Sequence, residues 1–381
     1  MKETVQQHPA VQCLTTACNE QWLYIVGDEG VVYSQRQSRF AGLDAAGVAA
    51  YQAFDAGLCI DDLQEWRGQS STAADKRLQT IFDLSRGQFP ASQADEAAAT
   101  HYPLLENRQI ANVEILGIRM LIEYPHGAWE ILSRDCFRNC HPASGPAFFH
   151  INTQQEKDGW IISINGRTFY SCLRDEQIGL GLLHAVRSLL YSQAEYDVAF
   201  HGAMVADDQR GILLCAPRES GKSTLGAHLV ARQFQLVTDE PALLQLDTAL
   251  VSPLDMPISL KEGSWDVLHE DWPHLPDALV HVRSDATKIR MLHPPRERKA
   301  HSPRRLTHII FPEYFPSSPT RAEELTPVRT IALLNEGGML FAAHIDKNKF
   351  EQFLQFICAT PACLLGYSSL EEARKFILSQ C

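Results

Sequence analysis

The chain has 381 residues, with 34 Lys and Arg against 46 Asp and Glu and a net charge of −12. That length suits two or three domains, and an apolar content of 45% argues against wholesale disorder. No stretch approaches the roughly 18 consecutive apolar residues of a membrane span, and the acidic balance disfavours a protein that coats nucleic acid. Ten cysteines at irregular spacings, and an N-terminus without an apolar signal segment, lead to the expectation of reduced thiols in the cytoplasm.

Three segments are expected: residues 1–95, 96–195 and 196–381. In the first, residues 22–26 and 31–34 read as short strands separated by Gly27-Asp28-Glu29-Gly30. Leu43, Val48, Tyr51 and Phe54 fall near one helical face, which predicts a helix over 40–57 stopped by Gly57. Further helices are expected over 60–66 and 73–86, the last capped from 70–72. Together these suggest a small α+β unit of winged-helix type. Residues 89–100, rich in Ala, Ser and acid, read as a linker.

The middle segment alternates strand and helix. Strands are expected over 115–124, 147–151, 160–164 and 168–172, with a turn at Asn165-Gly166, and a helix over 177–192. Cys136, Cys140 and His141 could supply three metal ligands, but no partner pair completes a four-ligand structural site, so buried free thiols are the alternative.

From residue 198 the pattern becomes that of a nucleotide-binding α/β unit. The apolar run 211–215 precedes Ala216-Pro217-Arg218-Glu219-Ser220-Gly221-Lys222-Ser223-Thr224, and a helix pattern follows over 225–233. Strand, loop, G-K-S-T and helix in that order build a phosphate cradle from backbone N–H groups at a helix N-terminus. Lys222 would neutralise phosphate oxygens, and the Ser223 hydroxyl would ligate Mg²⁺. Ala216 replaces the first glycine of the usual pattern, Pro217 lacks an N–H, and Glu219 places a carboxylate in an anion loop that Arg218 could offset. One helix later, the strand candidate 234–238 ends in Asp239-Glu240, where a P-loop protein holds its metal or base. His201-Gly202 precedes another strand candidate, 203–205.

These residues carry a resemblance. His201-Gly202-Ala203-Met204-Val205, the loop 216–224 and Val237-Thr238-Asp239-Glu240 resemble the C-terminal domain of HPr kinase/phosphorylase, especially its relatives associated with peptide-modification clusters. Order and spacing agree over roughly residues 196–265, and residues 257–263 and 311–316 agree less specifically. The resemblance implies an ATP- and Mg²⁺-dependent transfer of the γ-phosphate to a serine hydroxyl. It also implies that His201 and Asp239 belong to the catalytic centre with Asp239 as general base, and that Glu240 and Lys222 share the catalysis. Ala216, Arg218, Glu219, Ser220, Gly221, Lys222, Ser223, Thr224 and Lys261 would surround the nucleotide, and Ser223 and Asp239 the metal. The family allows a homo-oligomer, and some members also run phosphorolysis.

In the first segment, residues 27–32, Phe40-x-Gly42-Leu43-Asp44-Ala45 and Tyr51-x-x-Phe54-Asp55-x-Gly57 resemble PqqD-like peptide-recognition domains over roughly residues 15–90. Those domains bind the leader of a ribosomally made precursor peptide by adding it as a strand to a sheet edge. A DNA-binding winged helix is disfavoured, because residues 1–95 hold 7 Lys and Arg against 12 Asp and Glu.

The expectation is therefore an HPr-kinase-like α/β P-loop core behind a winged-helix-like domain, acting as a kinase on a leader-captured precursor peptide, with no nucleic-acid or membrane partner. Two alternatives stand: a leader-binding adaptor with a degenerate P-loop, and a kinase for a small hydroxyl metabolite such as serine. Residues 288–305 hold seven basic side chains against Glu297. They read as a loop, either touching phosphates or an acidic peptide, or simply solvated.

Overall fold

The computed structural model describes residues 11–16, 20–37, 39–58, 108–125, 141–142, 147–157, 159–172, 174–216, 220–283, 285–343 and 345–380, with 76, 77, 79–81 and 83. The expected helices over 60–66 and most of 73–86, the linker 89–100, Cys136, Cys140, Pro217, Arg218 and Glu219 lie outside these residues. The chain is a mixed α/β protein. No helix among the described residues is long and apolar enough to cross a membrane, and no three His, Cys, Asp or Glu side chains among them converge as a metal cage. Cys13, Cys172 and Cys215 are free thiols.

The first segment is a four-stranded antiparallel meander of β1 (Val11–Thr15), β2 (Gln21–Val26), β3 (Glu29–Ser34) and β4 (Arg39–Leu43). Helix α1 (Ala45–Asp55) follows. Four strands stand where two were expected, and the expected helix over 40–57 starts five residues later. Residues 39–43 pair with β3 from Leu43↔Gly30 to Arg39↔Ser34. Asp44 then caps the helix by accepting from the Gly47 amide at 2.9 Å. Gly57, at φ +101°, ends it in the left-handed region.

Both faces of this sheet are covered. On one face Leu23, Val32, Leu43, Val48, Tyr51 and Phe54 pack beneath α1. On the other, Tyr24, Val26, Val31 and Tyr33 join the core formed by residues beyond 198. Two-sided burial is why β2 and β3 read as nearly continuous apolar runs rather than alternating ones.

The middle segment forms a six-stranded sheet of β5 (Arg108–Ile115), β6 (Ile118–Pro125), β7 (His141–Pro142), β8 (Phe149–Glu156), β9 (Gly159–Ile164) and β10 (Arg167–Cys172). The strand expected over 115–124 is broken at its start by a turn, because Leu116 (φ +51°) and Gly117 (φ +77°) reverse the chain between β5 and β6. Asn165 (φ +49°) and Gly166 (φ +77°) make the expected tight hairpin between β9 and β10. Helix α2 (Ile178–Gln193) packs Ile178, Leu182, Val186 and Leu189 against this sheet.

The last segment begins with β11 (Val198–Phe200), β12 (Gly202–Ala206) and β13 (Gly211–Cys215), then α3 (Lys222–Arg232). Next come β14 (Gln235–Thr238), β15 (Ala242–Gln245), β16 (Leu250–Val251) and β17 (Ile258–Lys261). They are followed by β18 (Val280–Val282), β19 (Lys288–Leu292), β20 (Arg304–Arg305), β21 (His308–Tyr314) and β22 (Arg321–Glu324). Helix α4 (Pro327–Glu336), β23 (Leu340–Phe341), α5 (Lys347–Ala359), β24 (Ala362–Tyr367) and α6 (Leu370–Gln380) complete the chain.

The central sheet runs β14-β12-β13-β21-β24-β22. β13, β21 and β24 are parallel, while β12 is antiparallel to both β13 and β14. The carboxyl ends of β13, β14, β21 and β24 therefore meet the start of β12 at one edge. The basic stretch 288–305 is not a single loop, since β19 and β20 lie within it. Its charges are largely engaged: Lys288 with Glu262 at 3.1 Å, Arg290 over the Trp265 ring at 4.1 Å, Lys299 with Asp255, and Arg304 with Gln235 at 2.6 Å.

Candidate functional site

The edge of the central sheet collects the chemistry-bearing residues. Gly202 pairs with Cys215 and Met204 with Thr238. This register brings His201, Ala216 and Asp239 together from three different strands. An active-site crevice outside the carboxyl ends of such strands is the general rule for open α/β sheets.

The chain turns into α3 at Gly221, whose φ of +91° lies in the left-handed region. A Cβ there would sit 2.6 Å from the Tyr367 hydroxyl, so the position is closed to other residues on both backbone and steric grounds. The helix N-terminus has no side-chain cap, leaving its positive dipole end for an anion. The Ser220 hydroxyl is buried and has no hydrogen-bond partner among the described residues. A buried orphan hydroxyl at an uncapped helix start is what a phosphate would satisfy. Lys222 donates from Nζ to the Ala216 carbonyl at 2.5 Å. Burial pulls its pKa below the usual lysine value, so an anion at this point would relieve a desolvated cation.

Asp239 and Glu240 separate in role. Asp239 accepts from the Ser223 hydroxyl at 3.3 Å through Oδ1 and from the Ser259 amide at 3.0 Å through Oδ2. It is 7% exposed, and burial pushes its carboxyl above the usual aspartate range despite those bonds. The raised value means that the charged form is undercompensated, and a cation beside it would supply the missing stabilisation. A serine hydroxyl and a carboxylate oxygen are hard donors of the kind Mg²⁺ takes alongside phosphate oxygens. The residues present thus fit both a phosphate chain and Mg²⁺.

Glu240 turns the other way. Its Oε1 meets His201 Nδ1 at 2.7 Å and its Oε2 meets Arg187 Nη1 at 3.5 Å. Burial raises its pKa, but the Arg187 charge and the hydrogen bond and charge of His201 outweigh it and hold the carboxyl at about 2. Glu240 is therefore ionised throughout the neutral range and fixes the imidazole through Nδ1. His201 stands in the bend between β11 and β12, with 37% of its side chain exposed. Gly338 (φ +93°) backs it, with its notional Cβ 3.2 Å from His201 Cβ.

No family model matches the chain. No curated protein matches it either. Among solved structures, the Hpr(Ser) kinase/phosphatase from Coxiella burnetii aligns with 48% of this chain and 97% of its own length. The two are 11% identical, with a TM-score of 0.23, a likeness too low to carry any argument.

The structure brings His201, Ala216, Ser220, Gly221, Lys222, Ser223, Asp239 and Glu240 to one edge. Thr224 follows in the first turn of α3. Lys261, at the end of β17, is close enough to Lys222 to act on its charge. β17 is tied to the site by the Ser259–Asp239 bond. Arg218 and Glu219 lie outside the described residues.

Sequence reasoning missed Arg187, Tyr314 and Tyr367. Arg187 sits on α2, and its one signal was a cation within an otherwise apolar helix. Tyr314 and Tyr367 end two parallel strands in register, with rings 5.9 Å apart beside Gly221. Only the pairing of β21 with β24 puts them there.

Proposed function

We propose that the chain is an ATP- and Mg²⁺-dependent kinase that phosphorylates a hydroxyl of a ribosomally made precursor peptide. The observation that carries this reading is the Ser223–Asp239 contact beside an uncapped helix start with an orphaned Ser220 hydroxyl. Lys222, Ser220 and the amides at the start of α3 would bind the phosphates, with Lys261 adding charge. Ser223 and Asp239 would hold Mg²⁺, which supplies charge neutralisation to the transferring phosphoryl group.

The proton of the acceptor hydroxyl passes to His201 Nε2. Both Asp239 oxygens are engaged by Ser223 and Ser259, whereas among the described residues the His201 ring is held through Nδ1. This division departs from the expectation that Asp239 is the base. Glu240 keeps the imidazole oriented and stabilises it once charged. Positioning and charge stabilisation account for the acceleration.

Peptide capture is supported by the first segment. The outer edge of β1 pairs with no strand among the described residues. A groove of about 230 Å³ beside it is lined by Leu14, Thr16, Leu23, Tyr51, Gln52 and Asp55. An edge strand next to a helix accepts an extended peptide by strand addition.

Calorimetry of MgATP binding, with Lys222→Ala beside the wild type, tests the core of the reading. Micromolar binding lost in the variant supports it. Absence of binding up to millimolar MgATP, with and without candidate peptide, overturns it.

A further inference from the structure

Helix α2 carries His184, Arg187 and Tyr191 at i, i+3 and i+7, so they share one face. All three act electrostatically with Glu240. They lie on the Glu240 side of the site.

Arg187 is poorly used in its present contacts. A guanidinium that served only to neutralise Glu240 would fork onto both carboxylate oxygens near 2.7–2.9 Å. Here a single nitrogen reaches one oxygen at 3.5 Å, because His201 already occupies the other. Nε and Nη2 of Arg187 are buried and without hydrogen-bond partners among the described residues, as is the Tyr191 hydroxyl. Three buried donors left unmade at one spot are costly.

Charge points the same way. Arg283, at the end of β18, acts on both His184 and Glu240. Among the described residues, Lys222, Lys261, Arg187 and Arg283 thus gather around the carboxylates Asp239 and Glu240, in a chain whose net charge is −12. Convergent cations in excess of anions, with spare donors among them, form a site for an oxyanion. The Arg187 and Glu240 side chains keep 14% and 24% of their exposure, so an incoming anion meets the guanidinium at the edge it shares with Glu240. The long Glu240 contact is the one that it displaces.

We propose that Arg187 and Arg283, with the Tyr191 hydroxyl, form an acceptor subsite for an oxyanion, a carboxylate or phosphate, carried by the molecule whose hydroxyl is phosphorylated. This rests on the reading of the site as a phosphotransfer centre and narrows its substrate. The hydroxyl that approaches His201 belongs to a residue or small molecule with an anionic group a few bonds away, such as a chain-terminal serine rather than an internal one.

The test is a binding measurement, so it does not depend on turnover. With MgADP filling the phosphate loop, the wild type is titrated with N-acetylserine, with its neutral amide, and with N-acetylated dipeptides ending in serine or serinamide. Ligand-detected NMR reads the affinities, and glycerol 3-phosphate reports on phosphate. The carboxylate forms should bind at least about ten-fold tighter than the amides, the value of one charge-assisted pair. Arg187→Gln should reduce that preference to under about two-fold, Arg283→Gln should reduce it in part, and Arg187→Lys should restore some of it. Tighter binding of N-acetylserine than of the dipeptide ending in serine assigns a small-molecule source, the reverse a peptide terminus, and a preference for glycerol 3-phosphate assigns phosphate. Equal affinity for acid and amide in the wild type, no detectable binding of either, or an undiminished preference in both Gln variants overturns the proposal. MgADP affinity is read in the same series. Its loss in the wild type would count against the kinase, while the acid-against-amide comparison still decides the subsite.

Discussion

Replacing Glu240 by Gln should destabilise the protein in a pH-dependent way. The folded protein holds this carboxyl at about 2 against an ordinary 4.5. At about 1.36 kcal/mol for each pH unit, that difference is worth about 3 kcal/mol. The folded value is depressed, so the contribution is present in full above about pH 5 and is lost as pH falls towards 2. Gln removes the charge while keeping the shape, leaving Arg187 and His201 against a neutral amide. Urea unfolding of wild type and Glu240→Gln at pH 7, 5, 4 and 3 should therefore show a gap of about 3 kcal/mol at neutrality that shrinks to roughly 1 kcal/mol by pH 3. A gap that does not change with pH, or a variant as stable as wild type at pH 7, would refute the assignment of Glu240 as an ionised group held by Arg187 and His201.

Asp239→Asn should act in the opposite sense. Burial raises the folded pKa of Asp239, so the charge opposes folding at neutral pH, and calorimetric scanning should show the apoprotein melting at a higher temperature than wild type at pH 7, while Mg²⁺-dependent nucleotide binding is lost. Lys222→Ala should lower phosphotransfer by about 10²–10³-fold in a radiolabelled ATP assay, with the circular dichroism spectrum unchanged. Gly221→Ala should weaken MgATP binding, since the left-handed backbone alone costs about 1–2 kcal/mol and the new methyl meets the Tyr367 hydroxyl. Adding Tyr367→Phe should recover only the steric part. Tyr33→Ala should cost about 3–5 kcal/mol in chemical denaturation, against about 1 kcal/mol for Tyr33→Phe, which removes only the 3.2 Å bond to the Ile345 carbonyl.

Legibility in the sequence followed the range of the interactions. The strand 211–215, the hairpin at Asn165-Gly166 and helix α2 were readable within a residue or so, because an apolar run, a turn dipeptide and a helical period are local signals. The G-K-S-T motif and Asp239-Glu240 stand out in the sequence by residue type and by their places after the strands 211–215 and 234–238. Residues 40–43 were misread as helix because Leu43 continues the spacing of Val48, Tyr51 and Phe54. Only pairing with β3 decides otherwise. The split between Asp239 and Glu240 was also hidden, since adjacent residues in one motif find partners on α3, β17, α2 and the loop before β12. Arg187 belongs to the same class, being placed by how α2 sits and by no pattern around it. The two-sided burial of the first sheet had an unused signal in the unbroken apolar runs at 22–26 and 31–33.

That shared burial has a consequence for how the protein can be divided. Tyr33 stacks on Phe350 at 4.0 Å with the rings nearly coplanar in orientation, and Tyr24, Val26 and Val31 fill the same core as Phe353, Ile357 and Phe200. Cutting the chain between residues 58 and 108 would leave each piece with an aromatic face that the other was built to cover. Neither piece alone is a fair stand-in for the part it played in the whole. Produced together from two genes they should reassemble without a covalent link, and produced singly they should aggregate.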